Sequence, residues 1–277
     1  MESLVSTQWL ADHLGEVTVV DCSWFMPASG RSGREEYLEA HIPGARFLDI
    51  DEVADRSNPA PHMLPTADEF AAAMEQLGIG SDDRIVVYDN SPTRTAARGW
   101  FTLRHFGARD VAVLDGGMQK WVAEGRPTES GEAPPRHAGF DAREGADILS
   151  KEQILAGVGC ALIDARGKGR FEGSEPEPRA GLAGGHIPGS RNLPFGQLYR
   201  ADGTFKSREE IREEFDRAGI DPAQPFAASC GSGVTAAILI FAAHLIGGEG
   251  HKLYDGSWSE WGADPATPKT VGPLKRG

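Results

Sequence analysis

Long apolar runs are missing from this sequence. Nowhere does it approach the roughly 18–20 consecutive apolar residues of a membrane-spanning helix. Its start, MESLVSTQWLADHLG, has neither the basic segment nor the apolar core of a secretory signal. Cysteine is scarce, with Cys22, Cys160 and Cys230 the three in 277 residues. An odd, sparse count with no secretory signal argues against a disulfide framework and for a reducing compartment, so a cytoplasmic protein is expected. No Cys-x-x-Cys or His-x-x-x-His spacing is present, and neither a metal nor another cofactor is called for. Positive charge is also short: 28 Lys and Arg stand against 41 Asp and Glu, a formal net charge of −13. Such a surface repels phosphate backbones, which argues against nucleic acid as a partner, as the absent spans argue against a membrane. Small anionic substrates stay open, because local cations decide their binding.

The chain is long enough for one large or two ordinary domains, and an internal repeat decides between them. EAHIPGARFLDI, residues 39–50, returns as GGHIPGSRNLPF, residues 184–195. VTVVDCS returns as CALIDAR, LPTADEFAAAMEQLGI as FKSREEIREEFDRAGI, and VAVLDGGMQKW as HKLYDGSWSEW. The landmark pairs His41 and His186, Asp21 and Asp164, Thr66 and Ser207, and Asp115 and Asp255 keep their order at offsets of 140 to 145. Chance matches would not hold register, so two copies of one domain are expected. Residues 1–125 form the first copy, residues 126–144 the linker, and residues 145–277 the second. The stretch EGRPTESGEAPPRHAG, rich in Gly and Pro, supports that linker.

Within each copy, short apolar runs such as VTVVD, RIVVYD, CALID and PFAAS alternate with helical periodicity. Ser6 and Ser150 are expected helix N-caps, and Thr66 to Glu69 and Ser207 to Glu210 have the spacing of capping boxes. Strand–helix alternation of this kind predicts an α/β fold, each domain a mostly parallel sheet flanked by helices.

The chemistry concentrates in SCGSGVTA, Ser229 to Ala236. Cys230 follows a predicted strand and precedes a helix beginning near Thr235. In open parallel sheets, ligands bind beyond the carboxyl ends of the strands. Gly231 and Gly233 are able to take left-handed conformations. They can turn successive amides, through Val234 and Thr235, toward one point at a helix N-terminus. That surrounding favours a thiolate, the reactive form of cysteine, and would hold a persulfide equally. A core role is the alternative for Cys230, and it is the preferred reading for Cys22 and Cys160, which lie in or beside apolar strand runs. Aligning Thr95–Ala97 with Thr235–Ala237 sets Asn90 opposite Cys230, so only one copy has the nucleophile.

This loop, the two HIPG segments and DGSWSEW together resemble the tandem-domain rhodanese family of sulfurtransferases, over almost the whole chain. The form CGSGVT resembles the family members that use 3-mercaptopyruvate, whereas those that use thiosulfate carry basic residues after the cysteine. GRFEGSEPEPRAG, residues 169–181, is similar to the segment that supplies two substrate-binding arginines in those members, which implies Arg170 and Arg179 here. An Arg fork suits the carboxylate of a 2-oxo acid; ordinary surface pairing with Glu172, Glu175 or Glu177 is the competing reading. Pro176 and Pro178 between the two arginines predict a loop.

The resemblance implies ping-pong transfer through a Cys230 persulfide, from a small-molecule donor to cyanide, a small thiol or a thioredoxin-like protein. Ser232 is expected to relay or donate a proton, with His41 of the first HIPG as its partner. His186 in the same motif place offers a turn-shaping role for both histidines. Asp164 and Arg166 are expected to form a structural ion pair. A thiosulfate sulfurtransferase and a non-enzymatic persulfide carrier remain alternatives. A cysteine phosphatase does not, because the arginine it needs six residues after the cysteine is Ala236 here.

Overall fold

A computed structural model describes residues 1–273, so the last four residues of the expected second domain lie outside the described ones. The chain divides into two compact units. The first comprises Met1–Arg56, Leu64–Ala146 and Arg200–Phe205. The second comprises Ser57–Met63, Asp147–Tyr199 and the described residues from Lys206 onward. Each unit thus includes a short segment from the other half of the sequence.

In the first unit the elements run β1 (Leu4–Val5), α1 (Thr7–His13), β2 (Thr18–Asp21), α2 (Gly33–Glu39), β3 (Arg46–Phe47), α3 (Ala67–Leu77), β4 (Arg84–Tyr88), α4 (Ala96–His105), β5 (Asp110–Leu114) and α5 (Gly117–Ala123). The sheet order is β1-β5-β4-β2-β3, and every pairing is parallel. Val19, Tyr37, Phe47, Val86, Leu114 and Trp121 are among the residues that build its core.

The second unit repeats the plan with β6 (Ile148–Leu149), α6 (Lys151–Ala156), β7 (Ala161–Asp164), α7 (Lys168–Glu172), β8 (Arg191–Asn192), α8 (Arg208–Arg217), β9 (Phe226–Ser229), α9 (Ala236–Leu245), β10 (Lys252–Tyr254) and α10 (Ser257–Trp261). Its sheet order, β6-β10-β9-β7-β8, matches the first position for position and is again parallel. Trp258 and Trp261 lie in its core, each 1 % exposed.

Local chemistry explains where the helices begin. Ser6 accepts the Trp9 amide, and full capping boxes open α3, α6 and α8 at Thr66, Ser150 and Ser207. α9 is different, since AAILIFAAHL has no polar face and its first eight residues are all buried. Ile238, Leu239 and Phe241 are fully buried, each contributing about 1.5–3 kcal/mol. The helix whose first turn follows Cys230 is therefore held by packing rather than by a cap, and its N-terminus is left open for another use.

Candidate active site

Cys230 is the first residue after β9, and α9 starts six residues later. The loop between them is pinned from one side by α10. Ser257 Oγ accepts the amides of Cys230 at 3.0 Å and Gly233 at 3.1 Å, and donates to Tyr254 O at 2.8 Å. The Trp258 amide donates to Cys230 O, and both the amide and the hydroxyl of Ser259 donate to Gly231 O. Ser257 is fully buried and holds a left-handed φ of 49°. A β-carbon makes that conformation costly, and such strain gathers at functional loops.

Fixing Cys230 N, Gly233 N and the two carbonyls shapes the remaining backbone. Among the described residues, the amides of Gly231, Ser232, Val234 and Thr235 donate to no protein acceptor. They are the group that can meet a negative charge next to the Cys230 side chain. The Gly233 amide, expected to join them, is taken by Ser257. Gly233 alone of the two glycines uses a left-handed φ, at 76°. Gly231 is closely approached: a β-carbon there would lie 3.2 Å from Arg170 Nη2. Cys230 itself is 2 % exposed and Ser232 5 %.

Arg170 lies on α7, not on the loop that the prolines suggested, and Arg179 on the loop that follows, half-buried. The ion pair expected of Arg170 as the competing reading is present, to Glu177. Asp164 and Arg166 are paired as expected, at 2.6 Å and nearly fully buried, and Arg166 lies 4.3 Å over the Trp258 ring.

The histidine hydrogen-bonded to Ser232 is His62, with Nδ1 and Oγ 2.9 Å apart. Sequence reasoning missed it. His62 belongs to Ser57–Met63, the segment of the first half that joins the second unit, is buried, and has a left-handed φ of 65°. His41, the expected partner of Ser232, has a different place. Its Nδ1 bonds Tyr37 O and its ring stacks on Tyr37 at 4.2 Å. His186 repeats this with Phe171 O and the Phe171 ring at 3.8 Å. Each backbone also pairs with a distant strand-like residue, Glu129 or Thr270. The two HIPG histidines therefore do one identical structural job.

Among the described residues no cluster of His, Cys, Asp and Glu is arranged to hold a metal ion, and no helix is long and apolar enough to cross a membrane. Two parallel sheets of the same strand order, with Cys230 at the end of one strand, define a tandem α/β protein. The rhodanese-like domain model matches residues 6–124 and 142–264, and the chain belongs to that family. It is 42 % identical to the 3-mercaptopyruvate sulfurtransferase of Homo sapiens over 271 residues, covering 94 % of this chain and 91 % of that one. It is equally 42 % identical to the thiosulfate sulfurtransferase of Bos taurus over 272 residues, with the same coverage. The crystal structure of SseA from Escherichia coli, a 3-mercaptopyruvate enzyme by its description, superposes with a TM-score of 0.84 at 36 % identity. That alignment covers 94 % of this chain and 100 % of that one.

Proposed function

We propose that the protein is a 3-mercaptopyruvate sulfurtransferase. Overall identity does not choose the donor, because relatives named for each donor are equally similar. The observation that carries the reading is local: Arg170 Nη2 occupies the space beside Gly231, the position where the resemblance puts a basic side chain in thiosulfate enzymes. One guanidinium beside the nucleophile suits a monoanionic 2-oxo acid.

The transfer balances without an outside reagent. Cys230 thiolate attacks the sulfur of the substrate thiol, forming the S–S bond. The C–S bond breaks and its electron pair moves onto carbon as the enolate of pyruvate. The proton that leaves the thiol ends on that carbon, and the hydrogen-bonded Ser232–His62 pair provides its route. His62 takes the role first expected of His41. Arg170 and Arg179 orient the carboxylate and polarise the oxo group. The amides of Gly231, Ser232, Val234 and Thr235 hold the outer sulfur of the persulfide until cyanide, a small thiol or a thioredoxin-like protein removes it. A reducing compartment such as the cytoplasm would keep Cys230 able to cycle.

Incubation with 3-mercaptopyruvate, without acceptor, should leave one extra sulfur on the Cys230 peptide by mass analysis and release one equivalent of pyruvate. Arg179→Ala should raise KM for mercaptopyruvate about ten- to a hundredfold, the loss of one charge-assisted contact, and spare thiosulfate. A thiosulfate preference in the parent protein, or equal loss on both donors in the variant, would sink the proposal.

A further inference from the structure

Four charged side chains run from the core of the second unit to the nucleophile loop. Asp164, at the end of β7, takes Arg166 Nε and Nη2. Arg166 Nη2 also donates to Gly185 O at 2.8 Å, and its Nη1 donates to Glu177 Oε1 at 2.6 Å. With its face over Trp258 as well, Arg166 has no room to turn. Glu177 Oε2 then accepts from Arg170 Nη2 at 2.5 Å and Nε at 3.1 Å. The side chains of Asp164, Arg166 and Glu177 are 1–2 % exposed, and Arg170 is 27 % exposed. Two negative and two positive charges leave the series neutral.

Burying a carboxylate this fully is costly unless it is paired and hydrogen-bonded. Arg166 alone, already neutralised by Asp164, would not compensate Glu177. Arg170 is the partner that completes the balance, and Glu177 holds it by its Nε–Nη2 edge. Among the described residues Nη1 has no acceptor, and the Nη2 that Glu177 holds is the nitrogen beside Gly231.

We propose that Glu177 is the positioning residue of the substrate clamp. Its carboxylate fixes the Arg170 guanidinium against the nucleophile loop and cancels its charge, so that the site accepts a monoanionic 2-oxo acid in preference to a dianion such as thiosulfate. The proposal rests on the reading of Arg170 as a substrate ligand and adds to it the source of donor choice. A fixed guanidinium binds a carboxylate in one geometry without losing rotamer freedom. A neutral cluster draws a dianion less strongly than a cationic one would.

The test is Glu177→Gln, which keeps the shape and one acceptor. Mercaptopyruvate and thiosulfate are each followed as donor with cyanide as acceptor, thiosulfate also as a competitive inhibitor. The variant should raise KM for mercaptopyruvate about ten- to a hundredfold with kcat little changed. It should also bind thiosulfate as well as or better than the parent, so that the preference narrows at least tenfold. Parallel losses on both ligands, or an unchanged ratio, would overturn the proposal. Should Glu177→Gln not fold, Glu177→Asp keeps the charge and shortens the reach. It should raise KM for mercaptopyruvate while still discriminating against thiosulfate, and an unchanged KM would overturn the proposal. Arg170→Ala separates the two levels. If it leaves mercaptopyruvate KM unchanged, the clamp reading itself fails. If it raises KM while Glu177→Gln leaves the ratio intact, only the role of Glu177 fails.

Discussion

The two units build the same corner and fill it differently. In the first, Tyr88 pairs with Asp21 across the sheet; in the second, Ser229 pairs with Asp164. The Cys22 amide bonds Tyr88 O, as the Ala165 amide bonds Ser229 O. Counted from the strands, the residue in the place of Cys230 is therefore Asp89. Counting back from the helices gives Asn90, because the second loop is one residue shorter, Cys230 to Thr235 against Asp89 to Thr95. Asp89 Oδ1 accepts the Ser91 amide at 2.9 Å, and Oδ2 accepts the amide of Ala96, the first residue of α4, at 2.8 Å. The first corner holds its anion covalently, as a side chain. In the second, the amide of Ser232, the counterpart of Ser91, donates to no protein acceptor among the described residues. One fold thus sets a carboxylate or a cysteine between strand and helix at the same place.

The largest expected effect tests that division. Cys230→Ser should lower sulfur transfer by three or more orders of magnitude, as loss of a covalent nucleophile does, with the unfolding midpoint little changed. Asp89→Asn should do the reverse. It removes a carboxylate from a buried amide pair, costing about 1–2 kcal/mol of stability, and should leave turnover within about twofold. Pyruvate release and denaturant unfolding measured on both variants check this. Comparable loss of activity in Asp89→Asn would mean that the first corner is not mere scaffold.

A smaller effect distinguishes the turns that face these corners. Gly117 and Ser257 occupy equivalent places, with left-handed φ of 57° and 49°. In the first unit a β-carbon at Gly117 would come 2.4 Å from Asp89 O, so Gly117→Ser should cost about 1–3 kcal/mol, in line with overpacking, without touching turnover. In the second unit the β-carbon is present and its hydroxyl ties down Cys230 N and Gly233 N. Ser257→Gly relieves the backbone and releases the loop. It should keep or raise the melting temperature and lower kcat about tenfold, the worth of two modest hydrogen bonds. If kcat survives, the strain at Ser257 has no catalytic purpose.

The same comparison explains what was legible in the sequence. Repeated features reported the fold: two HIPG segments, the capping boxes and the strand runs pointed to two parallel sheets flanked by helices, while the strand order within each sheet was not legible. Unrepeated features marked the candidate site, and Cys230, Arg170 and Arg166 all lack a counterpart of their kind. His41 misled because it is repeated, and its twin His186 makes the same contacts. His62 is unrepeated, with Gly203 at its place in the second half. It lay hidden because its partner is 170 residues away and because nothing local marks the segment around Pro61 as a shared one. Arg170 was misplaced for a related reason. Pro176 and Pro178 do break the chain, but only after α7 has ended at Glu172.

The smallest effect is a difference in how the units respond to pH. Asp21 is buried without the arginine that its counterpart Asp164 has, since Ser23 stands where Arg166 does, and burial raises its carboxyl to about 7. Between about pH 4 and 7 the native state keeps this proton and the unfolded chain does not, so the first unit loses stability as pH rises through that window. His251, beside β10, is 6 % exposed and stacked on Phe226 at 3.9 Å, with both ring nitrogens lacking partners. Burial, helped by the charge of His244, lowers it to about 4. From pH 6.5 down to 4 the unfolded chain takes up a proton that the native state refuses, so the second unit loses stability as pH falls. Asp21→Asn should therefore gain on the parent protein as pH rises toward 7, and His251→Phe as pH falls toward 4, each by a few degrees in melting temperature. Differences between variant and parent isolate these two groups from carboxylates such as Glu124, which the Lys120 ammonium and its other partners hold at about 2. A difference that is flat with pH would show the group titrating alike in both states. One that slopes the other way would mean that burial is outweighed by a charge partner, and the asymmetry between Ser23 and Arg166 would then lose its energetic meaning.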